Sequence, residues 1–407
     1  MKILLGADQY PEYTNGAATF TTRLAAGLTA NGHTVDLLWP AGDGRHRTCL
    51  ENGVRVHRLS SASLPGRPRM QVCPPWSVGR QVRQILEIAR PDVVHVQSHL
   101  GLGRALLRAA GETGVPVMAT NHFMPENLLP HVPVVRRFPR TATRLAWRDL
   151  ERVFVGADLL SAPTPRAVDL LAAATRLPAA QPISCGIDLD RYGVDGWDPA
   201  DSGTVLFVGR LEHEKHVDEL LAAFALLPLD LASRLEIIGM GSLRGELEAR
   251  ADALGLRDRV TFSGRVDEAE LVRAYGRAAV FVMPGTAELQ SLATLEAMAS
   301  GRPVVAADAM ALPHLVHQDE NGYRYTPGDV AGLARLLARV LGNPGLRTTL
   351  GRRSRRIAEE HRLAATVGAF EDCYSRLMGV RSTGVPAPAG VPTDVPAAGD
   401  ELLTTAA

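Results

Sequence analysis

Net charge is the first thing this sequence lacks: 44 Lys and Arg residues are balanced by 44 Asp and Glu along 407 positions. That balance argues against a general nucleic-acid binder, which needs a basic footprint. Paired cysteines are also missing. Cys49, Cys73, Cys185 and Cys373 stand far apart, with the spacing of neither a disulfide framework nor a zinc cluster, and fit a reducing, cytoplasmic compartment. No apolar run approaches the ~18 residues of a spanning helix, and the richest stretch, LLAAFALLPLDL, is broken by Pro228 and Asp230. The opening MKILLGADQY holds only a short apolar run before Asp8, well under a signal-peptide core. Any membrane contact is therefore expected to be peripheral, on the inner face of the cell membrane.

What is present is a repeated alternation of short buried strands with longer helical patterns. KILLGA, TVDLLWP, GVRVHRL, DVVHVQS, VPVMATN and DLLSAP read as strands, with helices expected over Ala18–Ala30, Val78–Ala89 and Arg140–Gly156. The pattern restarts with TVLFVGR, RLEIIGM, RVTFSGR, AVFVMPG and RPVVAAD, and helices begin near His216, Leu243, Glu268, Leu292 and Ala331. The chain exceeds one ordinary core, so this predicts two doubly wound α/β domains, over 1–185 and 203–355. A linker rich in Asp, Gly and Pro is expected at 186–202, and a last helix over 356–380 that packs back toward the first domain. The Pro-rich tail, 381–407, reads as disordered. Two such domains bind ligands in the crevice at the C-terminal edges of their strands.

The densest chemical signal is MPGTAELQSLATLEAMASGRPVVAAD, Met283 to Asp308. A strand ends, Pro284 and Gly285 turn the chain, and a helix begins near Ser291 and stops at Gly301. Glu288 precedes that helix and Glu296 lies within it. Each carboxylate can accept hydrogen bonds from two neighbouring hydroxyls, which a sugar ring and a ribose both present. The helix-start N–H groups near Leu292 and Ala293 suit a phosphate, and Ser291 can add a hydroxyl. The competing reading is a capping carboxylate and a solvated helix face. VGRLEHEK sets Arg210 at a strand end and Lys215 before the next helix, two cations suited to a diphosphate, or else to surface pairing with Glu212 or Glu214. Gly16, after Asn15, permits close backbone approach to a phosphate, or is a simple turn glycine. His122 follows the strand VPVMAT; many such histidines only satisfy a carbonyl.

These segments, together with IIGMGSLRGELE, SCGIDLDRY and NGYRYTPGD in the same order, resemble the retaining glycosyltransferases of family 4 and their Glu-x7-Glu motif, over nearly all of the chain to Met378. The resemblance implies the GT-B fold of two facing Rossmann-like domains, and an enzyme that moves a hexose (glucose, mannose or N-acetylglucosamine) from a nucleotide diphosphate sugar to an acceptor hydroxyl. It implies Arg210 and Lys215 on the pyrophosphate, Glu296 on the ribose and Glu288 on the sugar. Gly16, Gly239, Ser291, Leu292 and Ala293 complete the donor site, and His122 sits beside the reacting sugar. Asn15, His122 and Glu126 are the acceptor candidates. No covalent nucleophile, cofactor or metal is implied: Asp188-Leu189-Asp190 spells a metal-binding Asp-x-Asp but falls where the family has no metal role. Two departures stand out. Ala17 follows Gly16 where a second glycine is usual, and Gln290-Ser291 replaces the usual Phe-Gly, which leaves the sugar preference open.

Neutrality in sum conceals basic stretches. Arg137, Arg140, Arg144 and Arg148 recur at helical spacing beside Phe138, Leu145 and Trp147, and Arg67, Arg69, Arg80 and Arg83 surround Trp76. Such a mixture suits an anionic membrane surface or is a solvated helix face. A lipid acceptor of the diacylglycerol or phosphoinositol kind, a soluble acceptor (aminocyclitol, inositol phosphate, thiol precursor or natural product) and a non-catalytic sugar-nucleotide binder are the readings that follow.

Overall fold

The computed structural model of the chain describes residues 1–8, 16–64, 67–125, 138–193, 203–231 and 234–382, with side chains described outside 64–70 and up to residue 379. Asn15, Glu126, Arg137, the linker residues 194–202 and the tail from 383 lie outside the described residues, as do the side chains of Arg67 and Arg69.

The N-terminal domain is built from β1 (Lys2–Gly6), α1 (Gly16–Ala30), β2 (Thr34–Pro40), β3 (Arg47–Glu51), β4 (Val54–Leu59), β5 (Ala62–Leu64), β6 (Arg67–Val72), α2 (Pro75–Ala89), β7 (Val93–Val96), α3 (Gly101–Thr113), β8 (Val117–Thr120), α4 (Pro139–Phe154), β9 (Leu159–Ala162), α5 (Pro165–Ala174) and β10 (Gln181–Pro182). Eight of its ten strands form one sheet in the order β10-β9-β8-β7-β1-β2-β4-β3, and β5 and β6 pair as a separate two-stranded sheet. All neighbours in the larger sheet are parallel except β3, which pairs antiparallel with β4 at the edge. Strands such as VVHV and VMAT are buried at every position, because helices cover both faces of the sheet. The sequence pattern misses β3 and the β5–β6 hairpin. RTCLE is largely exposed, and so carries no strong apolar period.

The second domain follows with β11 (Thr204–Val208), α6 (Val217–Ala225), β12 (Arg234–Ile238), α7 (Arg244–Ala253), β13 (Val260–Gly264), α8 (Glu268–Arg277), β14 (Val280–Met283), α9 (Leu292–Ala299), β15 (Val304–Ala307), α10 (Leu312–Leu315), β16 (Gly322–Tyr325), α11 (Val330–Leu341) and α12 (Pro344–Glu359). Its sheet is wholly parallel in the order β13-β12-β11-β14-β15-β16. Helices α8, α11 and α12 start on side-chain caps: Asp267 accepts from Glu270 N–H, Asp329 from Gly332 N–H and Asn343 from Leu346 N–H.

Two boundaries differ from expectation. Ile187, Leu189 and Tyr192, in the expected linker, are buried in the second domain's core, because apolar side chains between two cores join one of them. The terminal helical region is two helices, α12 and α13 (Leu363–Ser382), so the second domain continues to Glu359. Helix α13 lies on the first domain. Val367, Phe370, Cys373, Tyr374 and Leu377 share a core cluster with Phe20, Leu24 and the strands β1, β2 and β4. A Cβ on Gly27 of α1 would stand 2.6 Å from Val367 Cγ2, so glycine is what lets α1 and α13 touch. The chain thus crosses between domains twice, and the crossings are bonded together: Ile187 N–H donates to His361 C=O at 2.7 Å and Leu363 N–H to Ile187 C=O at 2.9 Å.

In each sheet the strand order reverses beside its first strand, between β1 and β7 and between β11 and β14. Those are the positions where open α/β sheets form a ligand crevice, and in this molecule the two crevices face each other.

Candidate active site

A cleft of about 870 Å³ runs between the domains. It is lined by the loop ends of β1, β7 and β8 on one side, and on the other by those of β11 and β12, the 287–291 loop and the first turn of α9. Every sequence-predicted site residue among those described lies on it: Gly16, His122, Arg210, Lys215, Gly239, Glu288, Ser291, Leu292, Ala293 and Glu296.

On the C-terminal wall, the Lys215 ammonium is ion-paired to Glu288 Oε1 with both side chains largely buried. A buried ammonium without a counter-charge would be expensive, and the pair offsets that cost and holds the side chain at the cleft wall. The pair sits over Gly285: a Cβ there would be 3.1 Å from Glu288 Oε1 and 3.4 Å from Lys215 Cδ. Arg210 Nη2 donates to Glu214 Oε1 at 2.6 Å. Arg210 thus pairs with Glu214, but at the cleft wall with Glu214 buried and not as a surface pair, while Lys215 takes Glu288 and Glu212 accepts instead from Ser242 N–H at 2.9 Å. The solvated-face alternative for the glutamates is overturned, because Glu288 is 8% and Glu296 6% exposed. Capping of α9 falls to Ser291, whose Oγ accepts from Thr294 N–H at 3.3 Å and from Thr294 Oγ1–H at 2.9 Å, so its own hydroxyl proton is left to donate. Gly239 has φ +145°, and a Cβ would sit 1.8 Å from Gly209 C=O, so only glycine lets β12 run beside β11 here.

Glu296 is held across the cleft. Arg23, on α1 of the N-terminal domain, donates through Nη2 to Oε1 at 2.8 Å, and Tyr275 OH donates to Oε2 at 3.0 Å. No sequence motif singles out Arg23; its signal is a lone cation in the otherwise uncharged run AATFTTRLAAGL. Gly16 opens α1 directly opposite α9, where a Cβ would meet only Leu292 Cδ1 at 3.8 Å. No contact forces glycine there, so the close-approach argument rests on a ligand between the two helix starts.

On the N-terminal wall His122 Nε2–H donates to Gln97 Oε1 at 2.9 Å, and its ring packs 5.1 Å from Phe20. Burial pushes the imidazole down to about 4, so it is neutral at physiological pH. The carbonyl that His122 satisfies is that of a buried side-chain amide, Gln97, and not of the backbone, which leaves the other face of the ring toward the cleft. Gln290, which stands where the family has Phe, accepts from Cys185 N–H at 2.7 Å and donates to Ser184 Oγ at 2.9 Å. With Thr164 Oγ1–H donating to Leu289 C=O at 2.9 Å, it ties the 287–290 loop to the other domain. Asp188 Oδ1 accepts from Asp190 N–H at 3.2 Å, a local turn. Trp147 is buried against Phe123 and cannot belong to a surface stripe. Arg140, Arg144, Arg148 and Arg80 are exposed, and Arg83 pairs with Glu112 at 3.2 Å.

Two Rossmann-like domains facing across a cleft lined by cations, helix starts and paired glutamates define a GT-B enzyme that uses a nucleotide sugar. Comparison with known proteins gives the family. Residues 14–191 match the family described as Glycosyltransferase Family 4, and residues 198–357 that described as Glycosyl transferases group 1. A GDP-mannose-dependent alpha-mannosyltransferase of Mycobacterium tuberculosis is 30% identical over 321 residues, 76% of this chain and 79% of that protein. The alpha-monoglucosyldiacylglycerol synthase of Streptococcus pneumoniae is 25% identical over 370 residues, 85% of this chain and 80% of that one. The crystal structure of Anabaena HepE in complex with UDP superposes with a TM-score of 0.70 at 20% identity, covering 92% of this chain and 100% of that one. The chain belongs to the family 4 glycosyltransferases and transfers a sugar from a nucleotide sugar. It is an enzyme rather than a silent sugar-nucleotide binder.

Proposed function

We propose that the protein is a retaining hexosyltransferase that moves a hexose from a nucleotide diphosphate sugar to a hydroxyl of a membrane lipid. The observation that carries this is the Lys215–Glu288 pair, set over Gly285 beside the start of α9 and facing His122 across one cleft. The diphosphate meets Arg210, Lys215 and the N–H groups of Leu292 and Ala293, with Ser291 adding a hydroxyl donor. Gly16 and Gly239 leave room for its backbone contacts. Glu296 accepts from the ribose hydroxyls and Glu288 from those of the sugar. His122, neutral, hydrogen-bonds a sugar hydroxyl.

As the bond from the anomeric carbon to the phosphate oxygen breaks, negative charge grows on the diphosphate, where Lys215 and Arg210 stabilise it. The acceptor oxygen attacks from the same face, and its proton passes to the departing phosphate oxygen. Configuration is retained without a covalent enzyme intermediate and with no protein-bound cofactor or metal.

The lipid acceptor is supported by surface chemistry. Helices α2, α3 and α4 share one core cluster, and so lie on one face of the first sheet. That face exposes Trp76 (84%), Phe138 (63%) and Leu145 (58%) among Arg80, Arg140, Arg144 and Arg148. Apolar side chains among arginines suit an anionic bilayer. A diacylglycerol-type acceptor accords with the named activity of the pneumococcal relative.

A thermal-shift panel of UDP and GDP hexoses identifies the donor, since only a ligand of the native state raises stability. Transfer assays with that donor then compare diacylglycerol, phosphatidylinositol and inositol phosphate. Stabilisation by no nucleotide sugar, or a product of inverted anomeric configuration, overturns the reading. Transfer confined to a soluble acceptor overturns its lipid part.

A further inference from the structure

Beneath His122 lies a chain of buried polar side chains that the transfer chemistry does not use. His95 is in the middle of β7, fully buried, in a strand otherwise built from valine. A histidine at such a place loses hydration unless it is bonded on both sides, and it is. His95 Nδ1 lies 2.7 Å from Tyr374 OH of α13, and Nε2 lies 2.7 Å from Thr120 Oγ1 and 3.1 Å from Gln97 Nε2. Gln97 in turn meets His122 through its carbonyl oxygen at 2.9 Å. Tyr374, His95 and Gln97 are 0%, 0% and 2% exposed.

The chain has a direction. An amide nitrogen only donates, so with Gln97 Nε2 and the Thr120 hydroxyl both donating to it, His95 Nε2 holds the lone pair and Nδ1 the proton, which Tyr374 oxygen accepts. Gln97 Oε1 only accepts, so His122 carries its proton on Nε2. Its Nδ1 then holds a lone pair and has no partner among the described residues. Burial keeps both rings neutral, pushing His95 down to about 3 and His122 to about 4, so each ring has one tautomer to choose and Gln97 links the choices.

The geometry points to Tyr374, His95 and Gln97 as a positioning relay: the C-terminal helix, docked on the first domain, holds His122 in the tautomer that offers Nδ1 to accept a hydroxyl proton from the transferred sugar. This rests on the reading of His122 as a sugar contact. It gives α13 a role beyond packing, because the phenol at the end of the relay belongs to the segment that follows the second domain. None of the three relay residues touches the reacting atoms. Each acts through His122.

Replacing Gln97 with glutamate tests it. A carboxylate 2.9 Å from Nε2 attracts the imidazolium and raises the His122 pKa. The other groups around that ring are Phe20 of α1 and His95 of β7. The charged side chains of the surrounding cleft are Asp8 after β1, Arg23 on α1, and Arg210, Lys215, Arg265, Asp267, Glu268, Glu288 and Glu296 of the second domain. The relay predicts that Gln97→Glu keeps donor KM and, because it buries a carboxylate, lowers the melting temperature by several degrees without unfolding the protein. Its kcat, however, falls about tenfold between pH 8.5 and 6, where the wild type changes little. Tyr374→Phe lowers kcat about fivefold at unchanged KM, and in 15N-histidine spectra moves His122 from a pure Nε2–H tautomer to a mixture.

If Gln97→Glu has the wild-type pH profile and Tyr374→Phe leaves the tautomer of His122 unchanged, the relay is wrong. It is equally wrong if both variants lose stability and activity together with no change in pH profile or tautomer. His122→Ala separates this from the parent reading: full transfer by that variant removes His122 from the sugar site. Its loss of transfer beside silent Gln97→Glu and Tyr374→Phe variants removes only the relay.

Discussion

Arg23 and Glu296 are 273 residues apart in sequence and 2.8 Å apart in space, and their ion pair joins the N-terminal domain to the residue expected to hold the donor ribose. Both side chains are nearly buried, at 12% and 8% exposed. Removing one partner therefore leaves the other charge uncompensated in a dry place, at a cost of about 3 kcal/mol. Arg23→Ala is expected to lower the melting temperature by several degrees and to weaken donor binding about tenfold, with kcat at saturating donor less affected. Calorimetry and donor KM measured together check this; unchanged donor KM in a destabilised protein restricts Arg23 to holding the domains.

The Lys215–Glu288 pair makes a different prediction, because it faces charge that grows only as the sugar leaves. Lys215→Ala is expected to lower kcat by about 100- to 1,000-fold, the scale for losing one group that stabilises a developing oxyanion. Glu288→Gln keeps the shape, loses the charge, and is expected to fall by a similar factor. Gly285→Val is the steric control. Its side chain begins 3.1 Å from Glu288 Oε1, so it displaces the pair and lowers activity while the circular dichroism spectrum stays that of the wild type.

The central strands of both sheets were legible because they are short β-branched runs buried on two faces, such as VVHV, VFVM and VVAA, whereas the edge strands β3, β10 and β16 carry no such run. Legible too were the cleft residues that lie at strand ends, since a doubly wound topology sends all of them to one edge. Arg23 was not, because its function depends on a partner in the other domain, and no local pattern encodes which helix faces which across a cleft. The pairing of Lys215 with Glu288 rather than Glu212 or Glu214 was hidden for the same reason. His95 gave a signal that the strand reading passed over: a histidine at a position buried on both sides of a sheet needs partners, and they come from β8 and α13.

Acid sensitivity follows from four histidines held neutral by burial: His95 is pushed down to about 3, and His99, His122 and His361 to about 4. In the unfolded chain each takes up a proton near the ordinary value of about 6.5. Below that pH the unfolded state binds protons that the native state refuses, so stability falls as pH drops from 6.5 toward 4. Each histidine contributes a slope of about 1.4 kcal/mol per pH unit, and none above pH 7. Denaturant midpoints are expected to fall steeply between pH 6.5 and 4.5. His361→Gln, which can still reach Ser184 Oγ, the 2.9 Å partner of His361 Nδ1, is expected to make that fall shallower. An identical slope in the variant removes His361 from the account.

Membrane contact turns on whether the arginines of α4 sit over a bilayer or only in water. A solvated face has no use for Phe138 and Leu145 exposed beside Arg140, Arg144 and Arg148, nor for Trp76 at 84% exposure a turn before Arg80. Each well-placed cation contributes about 1 kcal/mol at an anionic surface, and that contribution is screened by salt, whereas the aromatic contribution is not. Binding to vesicles containing phosphatidylglycerol is therefore expected to weaken with salt without vanishing. Arg140→Glu with Arg144→Glu is expected to remove the salt-sensitive part, and Trp76→Ser with Phe138→Ser the remainder. Transfer to a short-chain, water-soluble acceptor is expected to survive all four substitutions, because none of these residues lines the cleft. If the wild type fails to co-sediment with anionic vesicles at low salt, the face is merely solvated and the acceptor reaches the cleft from solution.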